Sequence, residues 1–159
     1  KGFRNNNSIL DACCFLGVIE MFEYTHGVIK TEAGYTGGHI ENPTYEMICS
    51  GTTNHAEAVE IEFDSKIISY KQVLKIFWTI HDPTTLNKQG PDIGTQYRSA
   101  IFYLNDPQRL EAEESKSEIN TKQYNGRVVT EITKHSIFYT AEEYHQHYNK
   151  NMKEKYGIS

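Results

Sequence analysis

The chain has 159 residues, 21 acidic and 16 basic, for a formal charge of −5; its lysines are scattered among acids, which excludes a polyanion-binding stripe and with it a nucleic-acid surface. Its apolar stretches are too short to cross a bilayer, and Lys1-Gly2-Phe3-Arg4 carries no apolar signal core, although the absence of an initial Met leaves room for an upstream segment. Three cysteines, an odd number, make no disulfide framework and point to a reducing cytoplasm. The length fits one domain over residues 1–159 that buries roughly two-thirds of its unfolded surface.

In chain order, Ser8, Ile9 and Leu10 read as a strand, and Phe15, Leu16, Val18, Ile19 and Phe22 as a helix. Cys13 and Cys14 stand at the junction. A cysteine in the first turn of a helix meets unpaired N–H groups and the positive end of the dipole, both of which favour thiolate. Cys14, further into the turn, is the better nucleophile candidate, against the ordinary reading of both as small buried hydrophobes. The segment from Gly34 to Thr53 holds four of the 11 glycines and one of the 4 prolines, and is expected to be an ordered loop in which Asn42-Pro43-Thr44-Tyr45 is a turn presenting Tyr45.

Val59, Ile61 and Phe63 alternate with acids as a half-buried strand, which Glu57 is expected to precede. Tyr70, Val73, Leu74, Phe77 and Ile80 recur at helical spacing behind Ser69 as N-cap, and the run stops before Asp82-Pro83. Ser99 to Leu104 predicts another strand, Asp106 to Lys122 a solvent-facing helix with few core contacts, and Val128 to Ile132 a further strand. The elements alternate without regular crossover units, which favours an α+β sandwich.

Cys14-Phe15-Leu16-Gly17, Gly34-Tyr35-Thr36-Gly37-Gly38, Asn42-Pro43-Thr44-Tyr45, Cys49-Ser50-Gly51, His55-Ala56-Glu57-Ala58, Asp82-Pro83-Thr84, Gly94-Thr95-Gln96-Tyr97-Arg98-Ser99 and Tyr144-His145-Gln146 occur in that order. Together they resemble the methionine sulfoxide reductase A family, from about residue 8 to about residue 152. The resemblance implies a two-layer α+β sandwich with a mixed, largely antiparallel sheet, surrounding helices and a ferredoxin-like core. It also implies thiol-dependent reduction of the S epimer of free or peptide-bound methionine sulfoxide through a cysteine sulfenic acid, repairing oxidised proteins.

That chemistry needs a thiolate, an acid and donors aimed at the sulfoxide oxygen, which must be protonated before it leaves the sulfur. Cys14 matches the family's nucleophile and Glu57 its proton donor; an acid buried near aromatic rings holds its proton toward neutrality. Tyr45 and Tyr97 match the tyrosines that hydrogen-bond the oxygen. Phe15 and Leu16 fall at the pocket for the S-methyl group, Asp92 at a second acidic position that binds substrate and orders water, and His145 at a further substrate-binding position. Arg98 either steadies the acids or lies on a strand face.

Two departures fall at the site itself. The family usually has Gly before the nucleophile and Trp two residues after it, where this chain has Cys13 and Leu16. Leu in place of Trp forfeits contact worth on the order of 1–2 kcal/mol of binding. Regeneration of a sulfenic acid requires a second thiol, yet the chain ends Lys155-Tyr156-Gly157-Ile158-Ser159. Cys13 is a poor resolving partner, since neighbouring Cα atoms lie about 3.8 Å apart and disulfides want roughly 4.4–6.8 Å; Cys49 serves only if its loop moves, and reads first as a buried packing residue. An external thiol such as thioredoxin, glutaredoxin or glutathione is therefore expected, with no bound cofactor, no nucleic-acid or membrane partner, and a monomer.

Two rival classes are a catalytically impaired sulfoxide-binding module, suggested by Cys13 and Leu16, and a metal site of Cys13, Cys14, Cys49 and His55. The metal is disfavoured because adjacent cysteines seldom face one ion and no Cys-x-x-Cys spacing is present.

Overall fold

The computed structural model describes residues 5–12, 15–90 and 92–142; Cys13, Cys14 and His145 lie outside them, as do the side chains of Phe15 and Leu16. The elements run β1 (Asn5–Ala12), α1 (Phe15–Glu23), β2 (Val28–Thr36), α2 (Tyr45–Cys49), β3 (Ala56–Asp64), α3 (Tyr70–Thr79), β4 (Lys88–Gln89), β5 (Asp92–Ile93), β6 (Ser99–Tyr103), α4 (Asp106–Ile119), β7 (Glu131–Lys134) and β8 (Tyr139–Thr140). One sheet has the order β7-β6-β1-β3-β2-β8, and β4 and β5 form a separate hairpin. Every neighbouring pair in the large sheet is antiparallel except β6 with β7. Its inner four strands, β6-β1-β3-β2, are linked by α1 between β1 and β2 and by α3 between β3 and β6. This is the ferredoxin-like arrangement of the expected α+β sandwich.

Strand period two sorts the side chains onto two faces. Leu10, Ala33, Tyr35, Val59, Ile61, Phe63 and Ile101 pack in one core with Val18, Ile19 and Phe22 of α1 and Val73, Leu74 and Phe77 of α3. Burying each large side chain of that set contributes about 1.5–3 kcal/mol. The opposite face carries Ile9, Ala56, Ala58, Ala100 and Phe102, with Leu104 and Phe138 against them. Gly34 sits where a Cβ would come 2.3 Å from the Phe138 ring, so Phe138 lies directly on the bare backbone of β2.

Helix α3 starts where the sequence places it, with Ser69 and Gln72 forming a reciprocal capping box. Trp78 Nε1 donates to Ser115 Oγ at 2.7 Å and ties α3 to α4. Only Gln108 and Ala112 of α4 are buried, in keeping with a solvent-facing helix. Other expectations need correction. Glu57 does not precede the strand but lies inside it, because β3 begins at Ala56. The segment 34–53 is not one loop: Gly34 to Thr36 finish β2, and Tyr45–Cys49 form a helix capped by Thr44, whose side chain accepts from Met47 N–H. The last long strand begins at Glu131, whereas Val128 is buried in the approach to it and Val129 N–H donates to Pro83 O.

His81, just after α3, closes the chain of hydrogen bonds beneath it. Its Nδ1 lies 2.8 Å from Phe77 O and its Nε2 2.7 Å from Ser99 Oγ, which is 2.8 Å from Thr130 Oγ1. A carbonyl can only accept, so Nδ1 carries the proton, the Ser99 hydroxyl donates to Nε2, and Thr130 donates to Ser99. The ring packs against Phe77 and Trp78. Burial lowers the His81 pKa from its ordinary 6.5 to about 4, more than the Phe77 hydrogen bond and the Asp82 charge raise it. The fold thus favours neutral imidazole, and this stabilisation is full above pH 6.5 and is lost as the pH falls toward 4. Unfolding free energy from denaturant titration is expected to drop by about 2 kcal/mol between pH 7 and pH 4.5 through this residue. The His81→Asn variant should lack that increment; equal pH dependence in both proteins rejects the assignment.

Candidate active site

Glu57 is 4% exposed and stands one place before Val59, Ile61 and Phe63 on the helix-covered face of β3. Its carboxyl therefore ends an apolar row. In the register of β2 against β3, Tyr35 lies opposite Glu57 and Ala33 opposite Val59. Directly paired residues project to the same face, so the wholly buried Tyr35 ring is the immediate neighbour of that acid.

The five-residue helix α2 is laid against the same end of the core by Ile48, which is fully buried. Tyr45, its first residue, and Cys49, its last, are one turn apart, which sets the Cys49 side chain beside the Tyr45 phenol. The neighbouring Cys49 side chain, then burial, then the charges that Cys49, Tyr97 and Glu57 can carry, push the Tyr45 phenol well above its ordinary range. Tyr45 is consequently a protonated donor at any physiological pH. Tyr97 is supplied by a turn of 3₁₀ helix, Thr95–Tyr97, closed by the bond from Tyr97 N–H to Gly94 O at 3.0 Å. Arg98 steadies that turn, donating from its guanidinium to Thr95 O at 2.9 Å and to Glu131 Oε1 at 2.9 Å. Its place is thus behind Tyr97 and across to β7.

The Gly34–Gly38 string is locked to the start of β3 through His55. Gly38 N–H donates to His55 Nδ1 at 3.0 Å, so Nε2 carries the ring proton and donates to Ile40 O at 2.7 Å. With both nitrogens committed, His55 has no lone pair for a metal, and the set Cys13, Cys14, Cys49 and His55 is one ligand short. Among the described residues no group of three or more His, Cys, Asp or Glu is arranged to hold a metal ion.

The structure thus brings Glu57, Tyr45, Tyr97 and Cys49 into one neighbourhood. Cys49 is exposed, which corrects its reading as a buried packing residue. Asp92 is placed on the β4–β5 hairpin, paired in register with Gln89, just ahead of the turn that bears Tyr97. The backbone of α1 begins at Phe15. Two residues that sequence reasoning passed over are Tyr35 and Glu142. Glu142 Oε1 accepts from Tyr35 OH at 2.8 Å and its Oε2 from Tyr45 N–H at 2.9 Å. Tyr35 lay in plain view within Gly34-Tyr35-Thr36-Gly37-Gly38, whereas the only signal for Glu142 was an acid just ahead of Tyr144-His145-Gln146.

A buried acid, two tyrosines and an exposed cysteine thus meet on a ferredoxin-like sandwich, an arrangement suited to thiol-based redox chemistry. A family model described as peptide methionine sulfoxide reductase matches residues 6–158. Peptide methionine sulfoxide reductase MsrA of Methanothermobacter thermautotrophicus is 51% identical over 146 residues, covering 91% of this chain and 86% of that protein. Among solved structures, reduced Mxr1 from Saccharomyces cerevisiae superposes with a TM-score of 0.89 at 32% identity, covering 100% of this chain and 90% of that one. Methionine sulfoxide reductase A of Corynebacterium diphtheriae does so with a TM-score of 0.89 at 32% identity, covering 98% and 77%. The chain belongs to the peptide methionine sulfoxide reductase family, and is an enzyme that reduces methionine sulfoxide.

The His55 clamp generates a prediction. A Cβ on Gly38 would lie 2.4 Å from Thr53 O and 2.5 Å from His55 N, both main-chain atoms that cannot swing aside. Gly38→Ala is expected to destabilise the protein by about 1–3 kcal/mol, the range of overpacking, in denaturant titrations. Unchanged stability would mean that the loop is not clamped as described.

Proposed function

We propose that the enzyme reduces the S epimer of free or peptide-bound methionine sulfoxide through a sulfenic acid on Cys14. The observation that carries this reading is the buried carboxyl of Glu57 at the end of an apolar row, near the Tyr45 phenol, which is held as a neutral donor, and Tyr97. Burial in such surroundings favours the protonated form of a carboxyl, and a general acid is what departure of a sulfoxide oxygen requires. In chain order Cys14 precedes Phe15, the first residue of α1, whose first turn carries no acid to oppose a thiolate.

In this reading Tyr45 and Tyr97 donate hydrogen bonds to the sulfoxide oxygen while the Cys14 thiolate attacks sulfur and Glu57 delivers a proton to oxygen. The protonated oxygen then passes from the substrate sulfur to the Cys14 sulfur as the sulfur–sulfur bond formed on attack breaks: the substrate sulfur is reduced by two electrons, Cys14 is oxidised by two, methionine leaves, and Cys14 is left as the sulfenic acid. Phe15 and Leu16 supply the methyl pocket, and Asp92 and His145 bind the rest of the substrate. A thiol then condenses with the sulfenic acid to give a disulfide and water, and a second thiol restores Cys14. An external reductant of the thioredoxin, glutaredoxin or glutathione type fits the shortage of cysteines, and exposure of Cys49 makes it the better internal candidate over Cys13.

A single-turnover assay with S- and R-methionine sulfoxide, followed by protein mass analysis, tests the reading. Cys14→Ser should release no methionine, whereas Cys49→Ser should still release one equivalent; one equivalent from Cys14→Ser would sink the assignment. No methionine from the wild type would instead favour a sulfoxide-binding module. Glu57→Gln keeps the shape but has no proton to give, and should slow sulfenic acid formation roughly 10²-fold or more. An unaltered rate removes Glu57 as the acid.

A further inference from the structure

Glu142 belongs to none of the roles above, yet its carboxylate joins two parts of the site that are far apart in sequence. It follows β8, whose pairing with β2 sets Tyr139 opposite Tyr35 and Thr140 opposite Gly34, and Ala141 N–H donates to Ala33 O at 2.9 Å. That ladder fixes the backbone immediately before Glu142. One oxygen accepts from the hydroxyl of Tyr35 at 2.8 Å and the other from the main-chain N–H of Tyr45 at 2.9 Å, so both donors are satisfied by a single planar group.

The geometry points to Glu142 as a positioning residue for the reaction: it sets the place of the Tyr45 phenol by gripping the Tyr45 main chain and anchoring that grip on Tyr35. The inference rests on the role given to Tyr45 above. A five-residue helix cannot hold itself in water, and Tyr45 is its first residue, where the N–H has no partner within the helix. Thr44 serves Met47 N–H and leaves Tyr45 N–H to Glu142. The anchor is firm because Tyr35 is wholly buried and stands opposite Glu57 in the sheet. The Glu142 carboxylate thereby ties the strand position facing the acid to the helix that bears the oxygen-directed donor. Without it, Tyr45 keeps its hydroxyl but loses its fixed distance from Glu57, and displacements near 1 Å cost on the order of 10²-fold in rate.

A double-mutant cycle on the whole enzyme decides the matter, read by single-turnover rate and by substrate KM. Tyr45→Phe is expected to slow methionine release. Glu142→Ala should slow it about 10- to 100-fold in the wild type, with a smaller change in KM, and should slow it little further in the Tyr45→Phe background, because Glu142 acts through the hydroxyl already removed. Glu142→Gln, which retains one acceptor oxygen for Tyr45 N–H and an amide to meet Tyr35, should recover most of the rate; it also carries the cycle if the Ala variant does not fold. Losses that multiply across the cycle overturn the inference while leaving the role of Tyr45 intact. A full rate in Tyr45→Phe overturns that role, and the inference with it.

Discussion

The pairing of β2 with β3 is the constraint on which the site rests. Side chains alternate along a strand, so a slip of β2 by one residue would leave Glu57 facing the helices and turn Tyr35 to the face occupied by Ala56 and Ala58. The pairing is held from both ends. A register shift between Val28 and Lys30 fixes the beginning of β2, and at its end Gly34 admits Phe138 where no Cβ fits. The inward row of β2, Thr31, Ala33 and Tyr35, then meets Ile61, Val59 and Glu57 one to one. Core packing and the placement of the acid are the same event.

Around that register the donors are mounted on pieces too short to be stable alone. Helix α2 relies on Thr44 at its cap, Ile48 in the core and Glu142 at its first N–H. The turn bearing Tyr97 relies on Arg98, which reaches across to Glu131 on β7. Both mounts draw on residues far along the chain, Glu131 on β7 and Glu142 just after β8. On the proposed chemistry rigid mounting matters, because a donor fixed before reaction pays little reorganisation as charge develops on oxygen.

The same dependence explains what the sequence does and does not reveal. Val59, Ile61 and Phe63 advertise β3 because large apolar residues alternate with acids. Ala56, Glu57 and Ala58 continue the strand but show no such contrast, since the second face is lined by alanine, and so the acid was legible as chemistry before it was legible as part of a strand. β2 escapes notice for a related reason: Ile29 is 53% exposed, whereas Thr31 is buried at 4%, the reverse of what their polarity suggests. A helix the length of α2 is shorter than two turns and leaves no period to detect. Local patterns carry α3, β6 and the short strings of the site; the bonds from Glu142 to Tyr35 and Tyr45 bridge about a hundred positions, and no local pattern encodes them.

The nearness of the Cys49 side chain to the Tyr45 phenol bears on the chemistry as well. A thiol is a weak hydrogen-bond partner for a phenol, while the oxygen of a sulfoxide is a strong acceptor. A donor that must serve the substrate is therefore best parked against sulfur: its orientation is kept, its proton is kept by the shift that Cys49 and burial impose, and little is lost when a better acceptor takes it. On the proposed chemistry, Cys49 prepares the reductive step by keeping the Tyr45 phenol in place until the sulfoxide oxygen takes its proton donor.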